Sequence, residues 1–119
     1  MEKLATYRRY IRQLLKTYAE LPTNDEQVKR ELLFDTEHDR YQLMIIGWRG
    51  HERFHGSIIH VDIIGDQIWV QYDGTETGIA NELVAFGVPK DDIVLAFHAP
   101  YKRKYTGFGS SIEDSQQAA

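Results

Sequence analysis

No cysteine occurs among the 119 residues of the chain. Disulfides, thiolate-bound zinc and thiol nucleophiles are therefore outside its chemistry, and a reducing cytoplasm is compatible with it. Long apolar runs are missing too. Nothing approaches the ~20 residues of a membrane span. The opening MEKLATYRRYIRQLL breaks its apolar positions with charge, unlike the uninterrupted core of a signal peptide. A soluble, cytoplasmic protein with no membrane association is expected. Positive charge is also in deficit: 14 Lys and Arg stand against 18 Asp and Glu, for a formal net charge of −4. Because phosphate binding rests on clustered cations, contact with DNA is expected to be weak, local or indirect. Ser57, Ser110 and Ser111 lack a GxSxG context, so a covalent serine mechanism is not expected. There is no internal repeat and no sign of a second domain.

What is present suffices for one core. Hydrophobic residues make up 42% of the chain and aromatics 12%, a composition and length that fit a single globular domain. We place it at residues 1–109, with a disordered tail at 110–119 that drifts into Ser, Gln and Ala.

The stretch from Ile68 to Phe97 is the most explicit. Ile68, Val70 and Tyr72 alternate with Trp69, Gln71 and Asp73, the period of a half-buried strand. Asp73-Gly74 breaks the ladder, and Asp73 with Glu76 has the spacing of a reciprocal capping box that opens a helix. Ile79, Leu83 and Phe86 share one face of that helix. Gly87 supplies a left-handed terminus, and Pro89 prevents resumption.

Taken in order, the chain begins with Leu4, Tyr7, Ile11, Leu14, Leu15 and Tyr18 at helical spacing, predicting an amphipathic helix over 3–20. Its other side carries Arg8, Arg12 and Lys16, with Arg9 beside them. This ridge reads either as a contact for a phosphate backbone or acidic partner, or as a solvated face. Pro22 ends the helix. Val28 to Phe34 predicts a strand whose charges suit a sheet edge. Tyr41 to Trp48, apolar on both parities at Leu43 to Ile46, predicts a central strand covered on both faces. Arg53 to Ile64 is the longest strand. Gly65-Asp66 closes it as a two-residue hairpin, which sets Ile64 against Gln67, Ile63 against Ile68, Val61 against Val70 and Ile59 against Tyr72. The reverse side then pairs Asp62 with Trp69, His60 with Gln71 and Ile58 with Asp73. Asp91 to Phe97 fits either a short helical segment or a buried strand, and we favour the helical one.

The fold class that results is α+β: an N-terminal helix packed on a four-stranded antiparallel meander, followed by a second helix and a short C-terminal element.

Three constellations could carry chemistry. His60, Asp62, Gln71 and Asp73 fall on one face of the hairpin, where they could ligate a metal or tune a general base. The same residues suit the exposed or partner-facing side of a sheet, and His51 and His55 add no ligand pattern. Asp73-Gly74-Thr75-Glu76 precedes a helix N-terminus, but its own carboxylates fill the anion position, so capping is the better account. Tyr101 to Tyr105 sets Lys102, Arg103 and Lys104 between tyrosines, which suits single-stranded DNA or a solvated extension packed on the core. Trp48 and Trp69 belong to sheet surface that two helices are not expected to cover. No catalytic residue, metal ligand or cofactor is assigned.

The strings DGTETGIANEL at 73–83 and GVPKDDIVLAFH at 87–98, with FDTEHDRYQL at 34–43 and IIGW at 45–48, resemble the XisI family, the excision-controlling factors of the fdxN element. The resemblance runs from the first helix to about Phe108. It implies a small non-enzymatic accessory protein that works with an XisH-like partner, and with a recombinase complex, in programmed DNA excision in cyanobacteria. The alternatives are a DNA-binding module using Arg8, Arg12, Lys16 and Lys102 to Lys104, and a small metal-dependent hydrolase using His60, Asp62 and Asp73. Self-association is also expected of a small domain with spare apolar sheet surface.

Overall fold

The computed structural model describes residues 2–23, 26–103 and 106–109. Its elements run α1 (Glu2–Ala19), β1 (Val28–Asp35), β2 (Arg40–Arg49), β3 (Glu52–Ile64), β4 (Gln67–Asp73), α2 (Ile79–Phe86), a 3-10 turn (Lys90–Asp92), β5 (Ile93–Leu95) and α3 (Pro100–Arg103). The expected tail at 110–119, with Ser110 and Ser111, lies outside the described residues, as do Lys104 and Tyr105.

α1 forms as its periodicity predicts. Tyr7, Ile11, Leu14 and Leu15 are buried, with Leu4 and Tyr18 packed beside them. They meet Tyr41, Leu43, Ile59, Val61, Ile63, Ile68 and Val70 on one face of the sheet. α2 brings Ile79, Ala80 and Leu83 to the same cluster, and Tyr10 of α1 stacks on Phe86 at 5.0 Å. Each fully covered side chain of this size contributes about 1.5–3 kcal/mol. We call this helix-covered side the front.

The sheet has five strands in the order β1-β2-β3-β4-β5, and it is mixed where a four-stranded antiparallel meander was expected. β5 lies parallel to β4, with Ile68 opposite Ile93, Trp69 opposite Val94 and Val70 opposite Leu95. The helical expectation for 91–97 holds only for the 3-10 turn before it. Ile93, Val94 and Leu95 are all buried, and a strand hides both faces at once where a lone helical turn would leave one wet. Ala96 N–H donates to Val70 O at 2.9 Å, and Gln67 Nε2 donates to Asp91 O at 3.0 Å, closing the two ends of the pairing.

The Gly65-Asp66 hairpin pairs as predicted from Ile64/Gln67 to Val61/Val70. Beyond that the register shifts, so that His60 faces Tyr72 and Ile59 faces Asp73. The expected Ile59/Tyr72, His60/Gln71 and Ile58/Asp73 pairs do not form. A bulge at Gln71 moves Tyr72 out of the core and brings Asp73 round to the helix side. A second shift, at Ile58, breaks the β2–β3 register between Leu43 and Met44. Gly74 N–H donates to the bulged Ile58 carbonyl at 2.7 Å, so the two irregularities brace each other.

α2 starts at Ile79, five residues later than a box at Asp73 and Glu76 requires. Asp73 does cap, but by an Asx turn: its Oδ1 accepts from Thr75 N–H at 2.9 Å and Thr75 Oγ1–H at 2.6 Å, while its Oδ2 accepts from Ile79 N–H at 2.7 Å. At the other end Gly87 sits at φ 114°, ψ 8°, with its N–H on Val84 O and Val88 N–H on Leu83 O, the left-handed stop that the sequence announces.

β2 differs from expectation in its cover. Tyr41, Leu43 and Gly47 are buried, but Gln42, Met44, Ile45 and Ile46 are only half-buried and Trp48 is 50% exposed. Both long helices lie on the front; on the back, β1, β2 and the first half of β3 are open, with Leu33 and Trp48 about half exposed, whereas Asp62 near the end of β3 is buried.

Candidate functional site

On the back of the sheet, alternation along β2 lines up Gln42, Met44, Ile46 and Trp48, the neighbours of the buried Tyr41 and Leu43. β1 contributes Leu33, 49% exposed and opposite Gln42, while β3 contributes His55 opposite Ile46 and Arg53 opposite Trp48. Arg53 lays its guanidinium over the Trp48 ring at 5.4 Å. The result is an apolar strip of Leu33, Met44, Ile46 and Trp48 with a cationic end.

Next to that strip lies a polar network. Asp62 is only 5% exposed. Its Oδ1 lies 2.9 Å from His60 Nε2, and its Oδ2 accepts from Gln71 Nε2 at 3.3 Å and lies 3.8 Å from Arg40 Nε. Ser57 Oγ donates to Gln42 Oε1 at 3.1 Å on the same side. Thus the structure assembles His60, Asp62 and Gln71 as the sequence suggests, and adds Arg40, which pairs with Asp62 across the strands.

Asp73 is not part of the group. The bulge at Gln71 turns it toward α2, where its carboxylate holds the Thr75 turn and the helix start. Both Asp62 oxygens are already engaged, and among the described residues no group of three or more His, Asp or Glu side chains is placed to hold a metal. The hydrolase set of His60, Asp62 and Asp73 therefore does not converge.

Trp69 is buried, contrary to its place on an open partner surface. Arg103 of α3 stacks on its ring at 5.6 Å and donates through Nε to His98 O at 3.0 Å and through Nη2 to Ala96 O at 3.3 Å. The C-terminal segment is thus the cover for β4 and β5 on the back. Arg103, in a basic run that suits either nucleic-acid contact or a solvated extension packed on the core, is here an interior strut.

The other basic candidates divide. Arg8 makes a two-pronged pair with Asp39, Nε to Oδ1 at 2.8 Å and Nη2 to Oδ2 at 3.0 Å. Those hydrogen bonds hold the Asp39 carboxyl below the usual carboxylate range and raise Arg8 above its ordinary value. Tyr41 completes the contact by donating to Asp39 Oδ1 at 2.9 Å, and burial together with that bond pushes its hydroxyl up to about 12. Arg12 and Lys16, with Arg9, line a shallow depression along α1. Lys102 lies over the Tyr101 ring at 5.8 Å, near the exposed end of α3. α1 sits on the front and Arg103 is buried on the back, so Arg103 does not share a surface with Arg8, Arg12 and Lys16.

Sequence reasoning missed the tethers of α1. Tyr7 donates to Asp92, which also pairs with Lys3 at 3.1 Å, and Tyr18 donates to Glu82 at 2.5 Å. Burial, reinforced by the acidic acceptors, raises both tyrosines, Tyr18 to about 12. Residues 64 to 85 positions apart in the chain leave no local spacing by which to foresee such bonds. Met44 and Ile46 could have been found: they share the parity of Gln42 and Trp48.

No helix among the described residues is long and apolar enough to cross a membrane. The family model described as XisI protein matches residues 1–110. Among solved structures, a XisI-like protein from Anabaena variabilis ATCC 29413 is 43% identical, with a TM-score of 0.84 over 88% of this chain and 96% of that one. The fdxN element excision controlling factor XisI from the same organism is 34% identical, with a TM-score of 0.79 over 89% of this chain and 96% of that one. A search of curated proteins found no match.

Proposed function

The chain belongs to the XisI family, and from that membership we propose that it is a non-enzymatic accessory factor controlling excision of a DNA element. It acts by binding a protein partner of the XisH type and so bears on the recombinase complex that cuts and rejoins the element. The observation that supports this reading is the open back of β1, β2 and the first half of β3. Leu33, Met44, Ile46 and Trp48 form an apolar strip with Arg53 and His55 at its margin, the composition of an interface core with a polar rim. Trp and Arg are also among the residue types enriched where binding energy concentrates.

The test is retention on an immobilised XisH-like protein from the same cell. Trp48→Asp should reduce retention more than about tenfold, the loss expected of a central interface anchor, with the circular dichroism spectrum unchanged. Equal retention of the variant and the parent would remove this face from the reading.

A second reading keeps direct DNA contact through α1 alone, because Arg9, Arg12 and Lys16 share one depression. Replacing Arg12 and Lys16 with Ala should then weaken a gel shift uniformly across sequences and flatten its salt dependence by about two phosphate contacts. An unchanged shift across salt would reject it.

A further inference from the structure

The free edge of the sheet carries an inference that does not rest on the partner reading. β1 is the outermost strand and, among the described residues, pairs only with β2. It runs over 8 residues, VKRELLFD, with no proline, and against β2 it shows no register shift. Edge strands of monomers are commonly blunted by brevity, proline, a bulge or charged side chains. β1 has only the charges of Lys29, Arg30, Glu31 and Asp35, which are of both signs and so select a pairing register where a single sign would forbid pairing; its outward N–H and C=O groups form a regular row on which another strand can add.

We infer that β1 pairs antiparallel with β1 of a second copy, about a two-fold axis at Leu32, so that the sheet continues across two chains. The choice of register is made by charge. A two-fold axis normal to the sheet keeps every residue on its own face, so paired residue numbers sum to an even value and the centre falls on a residue. Centred on Lys29 or Arg30, each sets that cation against its own copy. Centred on Glu31, two glutamates oppose. Centred on Leu33, Glu31 meets Asp35 twice. Like charges directly across a ladder are destabilising. Centred on Leu32, Lys29 meets Asp35 twice, Arg30 meets Phe34, Glu31 meets Leu33, and Leu32 meets itself. Residues 29–35 then pair with no like charges opposed.

Burial agrees with this geometry. Lys29, Glu31, Leu33 and Asp35 are exposed on the back of β1 and free to meet a neighbour, and the Asp35 contacts with Glu37 N–H, His38 N–H and the His38 ring lie within its own turn. Pairing would lay the two apolar strips side by side on one continuous back surface, giving the dimer two equivalent docking faces related by symmetry.

The absence of cysteine makes the register directly testable with the full chain. Sedimentation from about 1 to about 100 μM should show a species of twice the chain mass, the range in which a modest interface of this kind populates. Lys29→Glu sets like charge against Asp35 at two places and should raise the dimer dissociation constant about tenfold or more, with an unchanged unfolding temperature showing that the monomer still folds. Glu31→Cys mixed with Leu33→Cys should form a disulfide-linked pair under mild oxidation much faster than either protein alone. A single-chain mass throughout would overturn the proposal. So would a dimer indifferent to Lys29→Glu, or Glu31→Cys alone linking as fast as the mixture, which would put the axis at Glu31.

Discussion

The two faces of this sheet solve the same problem with opposite means. On the front, α1 and α2 bury a continuous aliphatic layer in which Ile11, Leu15, Ile59, Val61, Val70 and Leu83 are almost wholly hidden. On the back, a short C-terminal segment covers β4 and β5 with one stacked arginine, and β1, β2 and the first half of β3 are left open. The front is organised for stability and tolerates little change. The back buries Trp69 and Val94 under Arg103 in its covered part and leaves Leu33 and Trp48 about half exposed in its open part, which fits the docking role proposed for that face.

The contrast is broken most severely from the front. Leu15→Ala removes a side chain with no exposure and leaves a cavity between helix and sheet, so urea unfolding should show a loss of about 2–5 kcal/mol. The covered back should respond less and in a characteristic way. Arg103→Ala uncovers the Trp69 ring and leaves the carbonyls of Ala96 and His98 without their donor, for an expected cost of about 1–3 kcal/mol. Arg103→Met should recover most of that loss, because the stem fills the same space and a buried guanidinium with one unpartnered nitrogen is expensive to keep. If Met fares no better than Ala, the stacked charge itself stabilises the face.

A subtler break lies in the tie between α1 and the β1–β2 turn. The folded Asp39 carboxyl is held low by Arg8, so its contribution is present above the unfolded value and is lost as pH falls through the folded one. Asp39→Asn should therefore be less stable than the parent at neutral pH by about 1–2 kcal/mol, with the gap closing in acid. Tyr41 and Tyr18 behave in the opposite sense. Each is raised to about 12, so their stabilisation is complete below the ordinary tyrosine value and fades as pH rises toward 12. Phenolate absorbance should show both ionising well above the ordinary tyrosine value. A gap between the Asp39→Asn variant and the parent that persists in acid would mean that packing, and not charge, holds this turn.

Much of the front was legible because each of its devices is local. The three- and four-residue spacing of α1, the glycine that stops α2 and the Gly65-Asp66 loop each declare themselves within a few positions. The misreadings share a different cause. Ile93 to Leu95 is too short to show a period, and only the vacancy beside β4 makes it a strand. The bulge at Gln71 replaces an ideal alternation with one that frees Asp73 for α2, a demand from residues beyond the hairpin. Nothing in the run Lys102-Arg103-Lys104 marks Arg103 as a residue that turns inward, so by sequence it suits a DNA contact or a solvated extension. For the candidate site, His60, Asp62 and Gln71 followed from strand parity, whereas Arg40 enters from a third strand whose pairing the notation of a single hairpin does not contain. The uncovered strip was hidden by the assumption that the apolar run in β2 needs cover from within the same chain.

The smallest expected change sharpens the contrast most. Trp48 is half exposed and makes its ring contact with Arg53 on the open back. Trp48→Ala should alter the stability of the isolated protein by no more than about 0.5 kcal/mol, the usual range for a surface position, where the same truncation in the front core would cost several times as much. That outcome would fit a Trp48 that serves the proposed docking face and not the fold. If Trp48→Ala instead unfolds the chain as readily as Leu15→Ala, then the back of β2 is covered in solution by this protein's own residues. The strip would then be part of the core, and the division between a face that folds and a face that binds would fail at the residue on which it most depends.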